Sequence, residues 1–159
     1  MDLLTLVLVC APFVSSNTMM AVMQHESGGN AWAIGVNGKH RFKKADSYQT
    51  AVSEARRLIA AGASIDMGLM QINSKTMVGL GLTVEQTFDP CTNVYAGGVV
   101  LTRNYVKASG QFSDPQSALL AALSAYNTGN FRSGFKNGYV GFVLNQAQRL
   151  PANLQGGVK

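Results

Sequence analysis

Residues 18–29 read TMMAVMQHESGG. Met19, Val22, Met23 and Glu26 fall at i, i+3, i+4 and i+7, which is one face of one helix. Ser16 or Asn17 can cap the start of that helix, and Gly28 with Gly29 can supply the left-handed turn that ends it near Ser27. The spacing therefore predicts a core helix that presents a carboxylate to its apolar side, in its last turn. Burial disfavours the charged form of an acid, and so does the negative end of a helix dipole. A carboxyl group kept protonated near neutral pH can donate a proton, as the raised acid of a glycosidase does. The alternative for Glu26 is a side chain that bends to solvent and bonds a backbone amide.

The flanking chain is mostly helical. Residues 2–11, DLLTLVLVCA, read as a first core helix. They lack the positive n-region of an export signal and are too short to span a bilayer, so a signal is expected to be removed or not visible here. AWAIGVNGKHRF, residues 31–42, reads as a small hairpin around Asn37-Gly38. Ser47 caps a helix with Ala51, Ala55, Leu58 and Ile59 on one face, ended by Gly62. DMGLMQINS, residues 66–74, reads as a short helical turn or loop, and Thr83 with Gln86 as a capping box. Asp89-Pro90 opens a long helix to about Ala108, and Asp114-Pro115 opens another that is apolar nearly all round and belongs at the centre of the domain. After Asn137-Gly138 comes a last helix with Val140, Val143, Leu144 and Ala147 inward. Residues 151–159 read as a frayed tail.

At 159 residues, with 47% apolar and 13% charged residues, the chain is one globular domain with room for a core. Its net charge of +5 favours an anionic partner. Only KHRFKK, residues 39–44, is densely basic, and it reads as a solvated loop. No nucleic-acid motif is present. HESGG is not the H-E-x-x-H zinc pattern, so His25 and His40 make no metal site. Cys10 and Cys91 are either two buried thiols or one disulfide that joins the first helix to the start of the long one.

ESGGNAWAIG (26–35), GLMQIN (68–73) and AYNTGNF (125–131) occur in this order. Together they resemble the goose-lysozyme-like lytic transglycosylases, the SLT domains. CAP at 10–12, FDPCTN at 88–93 and the helical segment at 47–62 look closest to the branch that serves type IV secretion and conjugative DNA transfer. The resemblance implies a mainly α, lysozyme-like (α+β) single domain over residues 1–150 with a small β-hairpin. It implies Glu26 as the single catalytic acid and base. Ser27 follows it and orients the backbone or a sugar. Gln71 lines the saccharide cleft with Met70 packed beside it, Tyr126 fixes the catalytic Glu, and Asn127 neighbours it in the cleft. There are departures. Gly29 and Ala31 stand where many relatives carry an aromatic and a proline, and Gly35 stands where some carry serine. Asp66, just before MGLMQ, is a second carboxylate that would permit ordinary hydrolysis, or else a solvent-facing cap.

The implied reaction cleaves the bond between N-acetylmuramic acid and N-acetylglucosamine in peptidoglycan, with closure of a 1,6-anhydro ring. It needs no cofactor and no metal. The implied partners are peptidoglycan strands and type IV secretion proteins, with no nucleic acid and no stable membrane insertion, and the chain is expected to be a monomer in the periplasm. In that compartment a Cys10–Cys91 disulfide is the expected state. A non-catalytic peptidoglycan-binding component is the remaining alternative.

Overall fold

The computed structural model describes residues 1–150. Asp2 opens α1 (Leu3–Cys10) by accepting the Thr5 amide at 3.0 Å. Helix α2 (Ser16–Ser27) follows, with Ser15 rather than Ser16 or Asn17 at its cap position and Gly28 ending it at φ 61°. Met19, Val22 and Met23 are each at most 1% exposed, so the face read from the sequence is the buried one. A reciprocal Ser47–Thr50 box starts α3 (Tyr48–Ala60). Beyond it run α4 (Ser74–Gly79), α5 (Val84–Phe88) behind its Thr83–Gln86 box, and α6 (Pro90–Ser109) behind Asp89-Pro90. Asp114-Pro115 opens α7 (Pro115–Thr128), which packs along α6. Helix α8 (Ser133–Lys136) and α9 (Tyr139–Arg149) close the described chain, α9 lying on α2 and α7.

The strands correct the local hairpin expected around Asn37-Gly38. Strand β1 (Ile34–Asn37) pairs antiparallel with β2 (Ser64–Met67), Ile34 opposite Met67 and Asn37 opposite Ser64, so residues 38–63 all lie between the two. Gly38 does turn the chain, at φ 102°. The run after it is nearly all cationic and offers no alternating apolar face to pair. DMGLMQINS, expected as a helical turn or loop, is a turn at 68–71 flanked by two strands. Ile65 and Met67 are buried and alternate with half-buried Ser64 and Asp66, which is the period of a strand. The chain reverses through residues 68–71 into β3 (Ile72–Asn73), and the order of the small sheet is β1-β2-β3.

Cys10 and Cys91 form a disulfide between α1 and α6, with Cα atoms 5.3 Å apart. Among the described residues no helix is long and apolar enough to cross a membrane. The tail expected at 151–159 lies outside the described residues.

Candidate active site

Glu26 occupies the last turn of α2. The first residue of α9, Tyr139, is 2% exposed and donates its hydroxyl to Glu26 Oε1 at 2.9 Å. The His25 ring packs edge-on against Tyr139 and Phe142, with centroids 4.6 and 4.9 Å away. Burial pushes the Glu26 carboxyl from its ordinary 4.5 up to about 7. The Tyr139 hydrogen bond opposes that rise because it favours the ionised form, and the negative charge of Asp66 adds to it. Near neutral pH the group is thus divided between acid and base.

Asp66 projects from β2 with both oxygens engaged. Asn37 donates to Oδ2 at 3.0 Å, and Asn73 donates to Oδ1 at 2.8 Å. These asparagines stand at the end of β1 and in β3, so the small sheet fixes this carboxylate from both neighbouring strands. Next to it is Gln71, at φ 48°, a left-handed conformation unfavourable for a residue with a side chain. Its amide nitrogen donates to the carbonyls of Ala33 at 3.2 Å and Gly68 at 3.0 Å, which holds the head group in place. Its Oε1 lies over Gly35, where an added Cβ would come within 2.8 Å of it. A side chain at Gly35 would therefore displace Gln71.

The 68–71 turn is stapled from below. Asn93 of α6 is 1% exposed; its Oδ1 accepts the Met70 amide at 2.7 Å, and its Nδ2 donates to the carbonyls of Met67 at 2.9 Å and Thr87 at 2.7 Å. Gly68, at φ 77°, lies so close to Asn93 that no Cβ fits between them. The side chain of Met70 fills the space that Gly97 leaves bare on α6. Above the turn, Tyr126 of α7 donates its hydroxyl to the Met70 carbonyl at 2.7 Å. A cleft of about 450 Å³ results, lined in part by Asn37, Asp66, Gln71, Asn73, Tyr126 and Asn127. Among the described residues no three His, Cys, Asp or Glu side chains converge as a metal site requires.

A family profile for "Transglycosylase SLT domain" matches residues 9–148. The chain belongs to that family. The SLT domain is also similar to "Type IV secretion system protein virB1" of Brucella abortus biovar 1 (strain 9-941), at 41% identity over 131 residues, covering 80% of this chain and 54% of that protein. It is 39% identical over 142 residues to "Protein virB1" of Rhizobium radiobacter, covering 89% of this chain and 59% of that one. The chain thus spans somewhat over half the length of the curated relatives it matches. No solved structure matches.

Within this SLT domain Tyr126 and Met70 make contacts other than the expected ones, and Ser27 takes the backbone role of its two alternatives. Tyr126 does not hold Glu26: its hydroxyl is spent on the Met70 carbonyl, and Tyr139 holds the acid instead. Met70 is fully buried and packs under the turn against α6, so it supports the cleft from the core. Ser27 Oγ donates to the Met23 carbonyl at 3.3 Å and accepts the Gly29 amide at 3.1 Å, so it caps the end of α2. Gln71 and Asn127 do line the cleft, and Asn127 Oδ1 accepts from Asn137 at 2.8 Å. Sequence reasoning missed Tyr139, Asn93, Asn37 and Asn73. The one available signal was the buried-polar composition of FDPCTN, where an asparagine faces the core one turn into a helix.

Proposed function

We propose that the protein is a peptidoglycan lytic transglycosylase that cleaves the β-1,4 bond between N-acetylmuramic acid and N-acetylglucosamine. The observation that carries this reading is Glu26, a carboxyl poised at about 7 by burial and steadied by Tyr139. In the protonated form it gives its proton to the glycosidic oxygen, the C1–O bond breaks, and the N-acetylglucosamine 4-hydroxyl leaves. An oxocarbenium-like centre develops at C1 of the muramic residue. Glu26, now ionised and hydrogen-bonded by Tyr139, takes the proton of the muramic C6 hydroxyl as O6 closes on C1. The acid ends as it began, and no water is consumed. One group serving as acid and then base needs a pKa near the working pH, which the burial of Glu26 supplies.

Membership of the SLT family and the type IV secretion names of the relatives support a periplasmic role, in which local opening of the cell wall makes room for a secretion or conjugation apparatus. Secretion proteins are then its partners. Asp66 favours a second reading, hydrolysis. Its two oxygens are fixed by Asn37 and Asn73, and its charge is felt at Glu26, as expected of a carboxylate that stabilises a glycosyl cation or activates water. Mass spectrometry of digested peptidoglycan separates the two readings. Anhydro ends, lighter than reducing ends by one water, are expected; reducing ends would establish the hydrolase.

A further inference from the structure

The residues that line the cleft include one carboxylate, Asp66, and no cation; Glu26 is not among them, although the charge of Asp66 reaches it. A peptidoglycan strand, however, carries a carboxylate-bearing peptide on the lactyl group of each muramic residue. Those anions meet no opposite charge inside such a cleft, and a cationic surface beside it would supply one. Four of the thirteen Lys and Arg residues of the chain lie in residues 39–44: Lys39, Arg41, Lys43 and Lys44. All four are exposed, as is His40, and Phe42 between them is 46% exposed.

This segment has no helix or strand of its own, but α3 holds its backbone. Glu54 Oε1 accepts the Lys43 amide at 2.9 Å, and Arg57 donates to the Arg41 carbonyl at 2.9 Å while pairing with Glu54 at 2.6 Å. Ala45, 7% exposed, anchors its end in the core. The neighbouring charged side chains have partners of their own, although Lys43 also acts on Glu54 through space. Glu54 is taken by Arg57, Asp46 accepts from Thr50 at 3.0 Å, and Arg56 pairs with Glu85. Among the described residues none of the four loop cations forms an ion pair. The segment also begins at the cleft. Asn37 lines the cleft and bonds Asp66, and Lys39 follows two residues later, within about 7 Å along the chain.

We propose that residues 39–44 are a stem-peptide subsite, which binds the carboxylates of the lactyl-linked peptides while the neutral sugars occupy the cleft. The inference rests on the glycan-cleaving reading above and names which strands that activity prefers: those that still carry their peptides.

The test compares peptide-bearing peptidoglycan with the same glycan stripped of peptides by an amidase. Wild type is set against Lys39→Gln/Arg41→Gln/Lys43→Gln/Lys44→Gln, which leaves Glu54, Arg57 and Ala45 intact. Exposed charge contacts are individually weak, and four together predict a KM about tenfold lower for wild type on the peptide-bearing strand. That preference should vanish at about 0.5 M salt, where screening is nearly complete, and in the quadruple variant at any salt. kcat on stripped glycan should not change. A variant that keeps the preference, or a wild type without one, overturns the proposal. So does loss of wild-type binding to phosphatidylglycerol vesicles in the variant with the peptide preference intact, because the loop would then serve a membrane surface. Binding to both substrates is also measured with Glu26→Gln as the background. If wild type cleaves neither substrate, the glycan-cleaving reading fails, while the binding preference still decides the loop.

Discussion

At the residue scale the molecule turns on the cost of burying Glu26. A carboxyl raised from 4.5 to about 7 binds its proton more tightly in the folded chain than in the unfolded one. The stability this contributes is complete below about 4.5 and is lost as pH rises through about 7, a change on the order of 3 kcal/mol. Glu26→Gln should therefore abolish cleavage and yet unfold at higher denaturant than wild type at pH 8, with little advantage at pH 4; equal offsets at both pH values would show that the acid is not held out of water. Two neighbours should shift the basic limb of the kcat/KM profile in opposite directions. Tyr139→Phe removes the bond that favours the ionised form and moves the limb up. Asp66→Asn removes a like charge and moves it down, with a loss of activity under about tenfold if Glu26 alone does the chemistry. A thousandfold loss would assign Asp66 a part in bond cleavage. Glu26 was legible because helical spacing is local: four apolar-face positions within eight residues suffice. Tyr139 was not, because it lies 113 positions away and, after Asn137-Gly138, looks like any residue that opens a helix. Family likeness pointed to a tyrosine, and the fold places two near the acid; only hydrogen-bond geometry tells them apart.

At the element scale the turn between β2 and β3 carries the site, and α6 carries the turn. Asn93 bonds one amide and two carbonyls at the turn and at the end of α5, from a buried position. Asn93→Leu should cost about 3 kcal/mol in denaturant unfolding, since three backbone groups lose their partner at once. Gly97→Ala pushes a methyl group into Met70, displaces the turn above it, and should lower kcat by more than it lowers stability. If Gly97→Ala leaves turnover intact, Met70 is not what sets the height of Gln71. The longer helices were readable because their caps are sequence-local devices, Ser47 and the two Asp-Pro pairs among them, whereas the short α4 and α8 were not. The sheet was misread for the opposite reason. The partner of β1 is reached only after the whole of α3, and no short-range signal reports a pairing that distant.

For the whole molecule, the disulfide joins residues 81 apart. In the chain-entropy account a loop of that size constrains the unfolded chain by about 4.5 kcal/mol, a large share of the 5–15 kcal/mol typical of a domain. Reduction, or Cys10→Ala with Cys91→Ala, should lower Tm by roughly 10 °C or more. Thermal unfolding with and without reductant measures this, and an unchanged Tm would mean that α1 is held by packing alone. Thiol titration of the denatured, unreduced protein should find no free thiol. The same bond gives the protein a schedule. In a reducing environment the chain lacks two electrons' worth of oxidation, and with it much of its margin against unfolding. Full durability arrives only where an oxidant is present, so the same sequence is a frail fold before the bond closes and a sturdy one after it.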